Sequence, residues 1–170
     1  MRLTLLVTEA ACFASFGWAM LRHFQRAGKT GPGTIFTAAV APAFAGLHVM
    51  ALAGMPLAQP RPALVLYMGG AALFWWTVRA TRGRGLAACF QGRIPPAVIR
   101  DGPYRWMRHP FYTSYTLVWL AGFAATGWWP LAMTAGFMAS LYGCAAYTEE
   151  RDLLRSVLRE DYRNYKGKRH

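Results

Sequence analysis

The chain alternates long apolar stretches with short polar ones. Five stretches are close to the roughly 20 residues that an α-helix needs to cross about 30 Å of hydrocarbon, and most contain no Lys or Arg. They cover residues 3–21, 34–54, 62–80, 111–127 and 130–148. The pattern predicts an all-α polytopic membrane protein with about five transmembrane helices, forming a single membrane domain over residues 1–170.

Proline and glycine mark the breaks between these stretches. Residues 31–33 and 55–62 carry Gly-Pro and Pro-rich turns, and neither residue type continues a helix well. Trp128 and Trp129 alone separate the fourth and fifth stretches, which predicts a tight antiparallel hairpin with aromatics at the membrane interface. Residues 81–109 form the long connection, and long loops often carry function.

The positive charge is distributed unevenly, and this orients the chain. Of the 19 Lys and Arg residues, 17 lie in the first loop, the long third loop and the tail, and the other two are Arg2 and Arg61. The net charge of +12 therefore indicates a membrane orientation signal and not a nucleic-acid partner. The positive-inside tendency predicts an outside N-terminus and a cytoplasmic C-terminus in a bacterial inner membrane. Arg22, His23 and Arg26 follow the first stretch directly, so we interpret it as a retained helix and not a cleaved signal.

The tail and the fifth stretch carry periodic patterns. The tail keeps a helical apolar face and predicts an amphipathic interfacial helix among membrane lipids. That face comprises Leu153, Leu154, Val157, Leu158, Tyr162 and Tyr165, beside stacked Arg151, Arg155, Arg159 and Arg163. A solvated cationic face is the alternative.

Small residues recur every four positions in the fifth stretch and predict close packing against a neighbouring helix. They are Ala132, Gly136, Ser140 and Cys144, with Ala135, Ala139 and Gly143 beside them.

A few polar and kink-forming residues interrupt the apolar stretches. Glu9 is costly in a membrane unless it faces protein or water, or snorkels to the outer interface. His48 is interpreted as a satisfied core histidine, and Pro42 predicts a kink. The odd number of cysteines, Cys12, Cys89 and Cys144, makes a disulfide framework improbable.

Candidate chemistry is concentrated where the third loop meets the fourth stretch. Pro110 suits the first turn of a helix, so His109 stands at the helix start, where unpaired N–H groups favour an anion. Arg105 and Arg108 add full positive charge. The aromatic residues Tyr104, Trp106 and Tyr112 offer faces for stacking an adenine or attracting a cation. The alternative is that these arginines and aromatics only mark a membrane interface.

Glu149 and Glu150 end the fifth stretch at the same depth, because a tight hairpin returns the chain to its starting side. Adjacent helical residues point about 100° apart, so separate roles are expected. A glutamate at a helix C-terminus is unfavourable to the helix dipole and indicates a partner. That partner is either Arg105 or Arg108, in a simple salt bridge, or a bound ammonium or sulfonium.

Three motifs carry a family resemblance. Gly102-Pro103-Tyr104, Arg108-His109-Pro110-Phe111-Tyr112 and Glu149-Glu150 resemble those of the isoprenylcysteine carboxyl methyltransferase and phospholipid methyltransferase group. The resemblance covers about residues 86–165. It departs from that group at Ser114, where glycine is usual, and at Leu158-Arg159, where Phe-Gly is expected.

The resemblance implies an S-adenosylmethionine site whose acceptor is a small lipophilic molecule entering from lipid. It implies that the cofactor is held by Gly102, Tyr104, His109, Pro110, Tyr112, Glu149 and Glu150. Arg108 and Glu150 become the catalytic candidates, with Arg108 orienting the acceptor. No metal is expected. The remaining alternatives are an NADPH-dependent membrane reductase and a noncatalytic scaffold or transporter, and the oligomeric state stays open.

Overall fold

The computed structural model describes residues 1–24, 32–86 and 96–167, and all regular elements in this part of the chain are helical. Cys89, Arg26 and the middle of the long loop lie outside the described residues. The helices are α1 (Arg2–Trp18, extended by a π-helical turn Ala19–His23), α2 (Pro32–Gly54), α3 (Pro60–Thr81), a 3₁₀ turn Gly102–Arg105, α4 (Pro110–Thr126), α5 (Trp129–Leu154) and α6 (Arg159–Gly167). The predicted all-α class is confirmed.

Within the described residues, three helices are long and apolar enough to cross a membrane: Arg2–His23, Gly33–Gly54 and Pro60–Thr81. These correspond to the first three predicted stretches. Helix α4 has 17 residues and α5 has 26. The length and hydropathy of the first three helices are compatible with a membrane protein.

The five long helices run alternately up and down, and side-chain contacts identify the two ends of the bundle. Arg2 donates hydrogen bonds of 2.6 and 2.7 Å to the carbonyls of Ala53 and Met55, which places the start of α1 beside the end of α2. At the opposite end His23 lies 2.8 Å from Thr81, so α1 and α3 finish together. The start of α3 lies beside the end of α4, so α4 begins at the end where α1 and α3 finish. We call the two ends the Arg2 end and the His109 end, because His109 immediately precedes α4.

Helices α3 and α4 make the most extensive contact in the bundle. Gly70 permits this approach, since a Cβ there would lie 2.9 Å from Val118 Cγ2 and 3.1 Å from the backbone oxygen of Ser114. The core around this contact also includes Leu5, Tyr67 and Ala121. The glycine therefore sets the distance between the helix that precedes the long loop and the helix that follows it.

The α4–α5 hairpin is as tight as predicted. Gly127 ends α4 in the left-handed conformation, with φ of 67°, and α5 begins at Trp129. The small-residue strip behaves differently from the prediction: Gly136 and Cys144 are exposed, and a Cβ at Gly136 would meet no atom within 4 Å. This strip faces away from the other helices of the chain, while Ala135 packs against the core.

The predicted helical face of the tail is interrupted, and its second part forms a separate short helix, α6, in which Tyr162 and Tyr165 are buried. Helix α5 ends at Leu154 and α6 begins at Arg159. Val157, expected on the apolar face, is 98% exposed. The Ser156 hydroxyl donates to the Leu153 carbonyl at 2.8 Å and accepts from the Leu158 N–H at 3.1 Å, and such local bonds compete with helix propagation.

Candidate functional site

Four elements converge at the His109 end of the bundle: the 3₁₀ turn, the start of α4, the end of α5, and α6. His109 immediately precedes α4, and the buried Pro110 occupies the first turn, where its missing N–H leaves no hydrogen bond unmade. The α4–α5 hairpin brings the chain back to the same depth, so that the Glu149-Glu150 pair faces this helix start. The two motifs separated by about forty residues of sequence are neighbours in space.

Glu150 is the centre of an ion-pair cluster. Its carboxylate accepts hydrogen bonds from Arg108 Nη1 at 3.0 Å, His109 Nε2 at 3.0 Å and Lys166 Nζ at 3.2 Å, and its side chain is only 16% exposed. Burial acts to raise the pKa of Glu150, but the hydrogen bonds from His109 and Lys166 and the charge of Arg108 outweigh it, so the pKa lies below its usual value. Glu150 is therefore an anion at neutral pH. Of the two arginines considered as its partner, it is Arg108 that makes the pair.

Glu149 has different partners and different proton affinity. Its Oε1 accepts a hydrogen bond from the Tyr112 hydroxyl, and its Oε2 lies 3.8 Å from His109 Nδ1. Burial raises the pKa of Glu149 to about 7, helped by the charges of Asp152 and Glu150 and opposed by the Tyr112 hydrogen bond. Near neutral pH this carboxyl exchanges between its acid and anionic forms.

The two glutamates together define the state of the His109 ring. Because ionised Glu150 can only accept, Nε2 of His109 carries the hydrogen that it donates. Burial lowers the pKa of His109, against the opposing effect of Glu150, so a neutral ring is favoured at neutral pH. The remaining nitrogen, Nδ1, then has a free lone pair directed to the side of Glu149. This nitrogen can accept a proton or a hydrogen bond.

An aromatic wall continues from these groups along α4 and α5. The Tyr112 ring stacks on His109 at 5.7 Å between centroids and on Tyr142 at 5.5 Å, with ring planes 17° and 5° apart. The Tyr142 hydroxyl accepts a 3.1 Å hydrogen bond from Trp119 Nε1. The wall is thus fixed in position by buried hydrogen bonding and stacking.

An open groove of about 280 Å³ lies between α4 and α5 along this wall. His109 and Tyr112 line it at the polar end, and its remaining lining is apolar or small, including Thr116, Leu117, Ala139 and Gly143. The volume is slightly below the range of about 300–1,000 Å³ usual for small-molecule sites. The groove combines a polar, titratable mouth with a lining suited to an apolar group.

The 3₁₀ turn and α6 form the other wall of the site. A Cβ at Gly102, where φ is +58°, would lie 2.8 Å from Ala80 Cβ, so this glycine allows the turn to pack on α3. Burial raises the pKa of the Tyr104 hydroxyl, with the charge of Glu149 adding to the effect. The Tyr104 carbonyl accepts a 2.8 Å hydrogen bond from the Tyr165 hydroxyl, which attaches α6 to the turn.

The structure thus brings Tyr104, Arg108, His109, Tyr112, Glu149 and Glu150 together. Trp106, also considered as a stacking face, is 77% exposed. Sequence reasoning missed Lys166 and the pairing of Tyr142 with Trp119. Tyr142 could have been found, because it lies seven residues before Glu149, two helical turns along the same face. Lys166 could not, because its approach depends on the break between α5 and α6.

An S-adenosylmethionine molecule would find suitable groups here. Glu149 supplies an ionisable carboxylate for an ammonium group, and Tyr112 and Tyr142 line the groove with aromatic rings, a residue type that attracts cations. The groove can take part of such a ligand. The chemistry of these residues therefore fits a cationic cofactor.

The chain matches no protein-family model, no curated protein and no solved structure.

Proposed function

We propose that this chain is an integral-membrane, S-adenosylmethionine-dependent methyltransferase that acts on a small lipophilic acceptor at the cytoplasmic interface of a bacterial inner membrane. The proposal includes five transmembrane helices, with α4 and α5 as the fourth and fifth, and α6 lying at the interface. The observation that carries it is the convergence of the His109 and Tyr112 corner with Glu149 and Glu150 beside an apolar groove.

Each residue of the site has a role in this proposal. Glu149, with Tyr112 holding its carboxylate in place, binds the amino group of the cofactor. The aromatic wall would lie beside the sulfonium of a bound cofactor, and the cofactor would supply an electron-poor methyl group. The Arg108 guanidinium, 40% exposed and held by Glu150, orients the acceptor or its carboxylate.

Methyl transfer to a carboxylate or thiolate needs little acid or base help, so alignment provides most of the rate. Positioning two reactants in line can supply about 7–11 kcal/mol. The groove contributes to alignment by admitting an apolar acceptor alongside the polar mouth. For a neutral hydroxyl or amine, the free Nδ1 of His109 is placed to accept the proton that the acceptor loses.

Calorimetric titration of the purified protein with S-adenosylhomocysteine and, separately, with NADPH tests the proposal. Saturable binding of S-adenosylhomocysteine, abolished in Glu149→Gln and retained in Tyr147→Phe, supports it. Tyr147 is a suitable control because it lies on the same helix and is 71% exposed. Binding of NADPH alone would identify a reductase, and binding of neither ligand would leave a scaffold or transporter.

A second experiment addresses the role of His109 and the acceptor. Lipid extracts incubated with methyl-labelled cofactor and the protein should yield a labelled lipophilic product, identified by mass spectrometry. His109→Gln should weaken cofactor affinity, because the ring supports both glutamates. Unchanged affinity with lost turnover would instead assign the proton-accepting role to this histidine.

A further inference from the structure

A second cluster of polar side chains lies inside the bundle, away from the candidate site. Glu9 of α1, His48 of α2 and Tyr67 of α3 are all fully buried, with 0% exposure, and Thr134 of α5 is 6% exposed. They lie toward the Arg2 end, since Glu9 and Thr134 stand near the starts of their helices and His48 near the end of its helix. Polar groups are costly in such a place unless each is paired.

Hydrogen bonds connect these helices in pairs, α1 with α3 and α2 with α5. The Tyr67 hydroxyl donates to Glu9 Oε1 at 2.8 Å, and His48 Nε2 lies 2.8 Å from Thr134 Oγ1. The Thr134 hydroxyl already donates its hydrogen to the Leu131 carbonyl at 2.9 Å. With that hydrogen used, the threonine oxygen is left to accept from His48, an arrangement that puts a hydrogen on Nε2.

The other ring nitrogen faces Glu9. His48 Nδ1 lies 3.6 Å from Glu9 Oε1, and among the described residues neither Nδ1 nor Glu9 Oε2 has a hydrogen-bond partner. With its hydrogen on Nε2, a neutral ring would turn a lone pair toward a carboxylate in a buried site. Two acceptors in this position repel each other, and an unpaired buried charge is strongly destabilising.

Helix α4 closes off one side of the ring. A Cβ at Gly122 would lie only 2.1 Å from His48 Nδ1, and Trp119 packs its edge against the ring at 5.0 Å between centroids. The partner of Nδ1 must therefore come from the side of Glu9. The other titratable groups near the pair are Tyr67 and Cys12, whose sulfur is 3.8 Å from the Tyr67 carbonyl.

We propose that Glu9 and His48 hold one proton between them and form an electrically neutral pair inside the bundle. The proton is taken up from solvent when the helices assemble: an O–H bond of a hydronium ion breaks and leaves water, and a new O–H bond forms on the carboxylate or a new N–H bond forms on Nδ1. Both placements turn the opposed acceptors into a donor and an acceptor, because either a carboxylic acid donates to the ring or an imidazolium donates to the carboxylate. This proton site is independent of the proposed methyltransferase function.

The test is nuclear magnetic resonance of the full-length protein in lipid nanodiscs, with ¹³C-labelled glutamate carboxyls and ¹⁵N-labelled histidine rings. The chain has four glutamates, and the measurement is made in the Glu149→Gln background, because Glu149 itself carries a proton for part of the time near neutral pH. At neutral pH we expect either a protonated carboxyl resonance or a doubly protonated histidine ring. The signal should disappear in Glu9→Gln and persist in Glu160→Gln, a change at an exposed carboxylate.

Glu9→Gln should fold, since its amide can accept from Tyr67 and donate to Nδ1 without an added proton. If that variant fails to fold, His48→Leu serves as the second test, because no donor then replaces the ring and the buried Glu9 must carry the proton itself as a carboxylic acid. An ionised Glu9 beside a singly protonated His48 ring in the otherwise native protein would overturn the proposal. A shift of both signals on adding sodium would overturn it as well, by identifying a cation as the occupant.

Discussion

Glu149 and Glu150 are adjacent in the chain, yet their surroundings move their proton affinities in opposite directions. Glu150 receives three charged or polar donors, whereas Glu149 receives one hydroxyl and lies near the negative charges of Asp152 and Glu150. The difference follows from the helix, which points the two side chains about 100° apart. The Glu150 carboxylate is thereby held in an ion-pair cluster, whereas the Glu149 carboxylate has fewer partners and is the better placed of the two to bind a ligand.

This contrast predicts opposite effects of neutralising each glutamate on stability. The pKa of Glu149 is raised from 4.5 to about 7, so its contribution to stability is fully present below 4.5 and is lost as the pH rises through 7. Glu149→Gln should therefore be more stable than the parent protein above about pH 7, and the difference should shrink toward pH 4.5. Thermal unfolding in detergent across this pH range checks it.

Glu150→Gln should behave in the opposite way. Its pKa is lowered, so its contribution is present above the ordinary value of 4.5 and disappears as the pH falls below it. This variant should be less stable than the parent at neutral pH. Equal stability changes for the two variants at all pH values would contradict the assignment of distinct environments.

Tyr112 is expected to tune the pH at which the site binds a cation. Its hydrogen bond lowers the pKa of Glu149, so Tyr112→Phe should raise that pKa. If Glu149 binds the ligand's amino group, affinity for S-adenosylhomocysteine should increase with pH through about 7 in the parent protein, and the midpoint should move to higher pH in the variant. Calorimetric titration at several pH values measures this, and Tyr147→Phe should leave the midpoint unchanged.

At the scale of the elements, the contact of α3 with α4 depends on one glycine. Gly70→Ala places a methyl group 2.9 Å from Val118 and 3.1 Å from a backbone oxygen that cannot easily move. Overpacking of this kind costs about 1–3 kcal/mol. Reversible denaturant unfolding in detergent should report this loss.

Gly69→Ala is the matched control for this prediction. A Cβ at Gly69 would meet no atom within 4 Å, and alanine favours a helix over glycine by up to about 1 kcal/mol. The control should therefore be neutral or slightly stabilising. A similar loss for both variants would show that the close approach of α3 and α4 does not limit stability.

The sequence predicted the helices better than the contacts between them. The first four apolar stretches end within three residues of the observed helices, because proline, glycine or charge bounds them, whereas α5 continues six residues beyond its stretch to Leu154. The periodic pattern of the tail did not predict the break after α5, because that break depends on the Ser156 side chain, which bonds the backbone and interrupts the helix. That interruption carries α6 back over the site and places Lys166 at Glu150.

At the candidate site, the motif residues could be predicted from the sequence, but the hydrogen-bond partner of each could not. Spacing along a hairpin was sufficient to expect His109 and the glutamates at one depth. Which glutamate pairs with Arg108 depends on side-chain geometry that a sequence does not encode locally. The Glu9 and His48 pair was missed for the same reason, since its members lie on different helices 39 positions apart in sequence.

At the scale of the whole molecule, the charge distribution predicts one orientation in the membrane. The Arg2 end carries two of the 19 Lys and Arg residues, so we expect it outside and the His109 end in the cytoplasm. A periplasmic phosphatase fused after Gln59 should be active, and a fluorescent protein fused after His170 should be fluorescent. Exchanging the two reporters should silence both, and activity in the exchanged arrangement would reverse the topology.

The connection between α2 and α3 has an effect on a helix that it does not join. The backbone N–H groups of Ala58 and Gln59 donate to the carbonyls of Ala125 and Ala124 at 2.8 and 3.2 Å. Carbonyls in the last turn of α4 are therefore satisfied by the α2–α3 connection. A protease cut between residues 55 and 59 would release those carbonyls and fray α4 from its C-terminal end. Splitting the polypeptide at this connection would thus loosen the hairpin that carries both motifs, although the cut itself lies at the other extremity of the bundle.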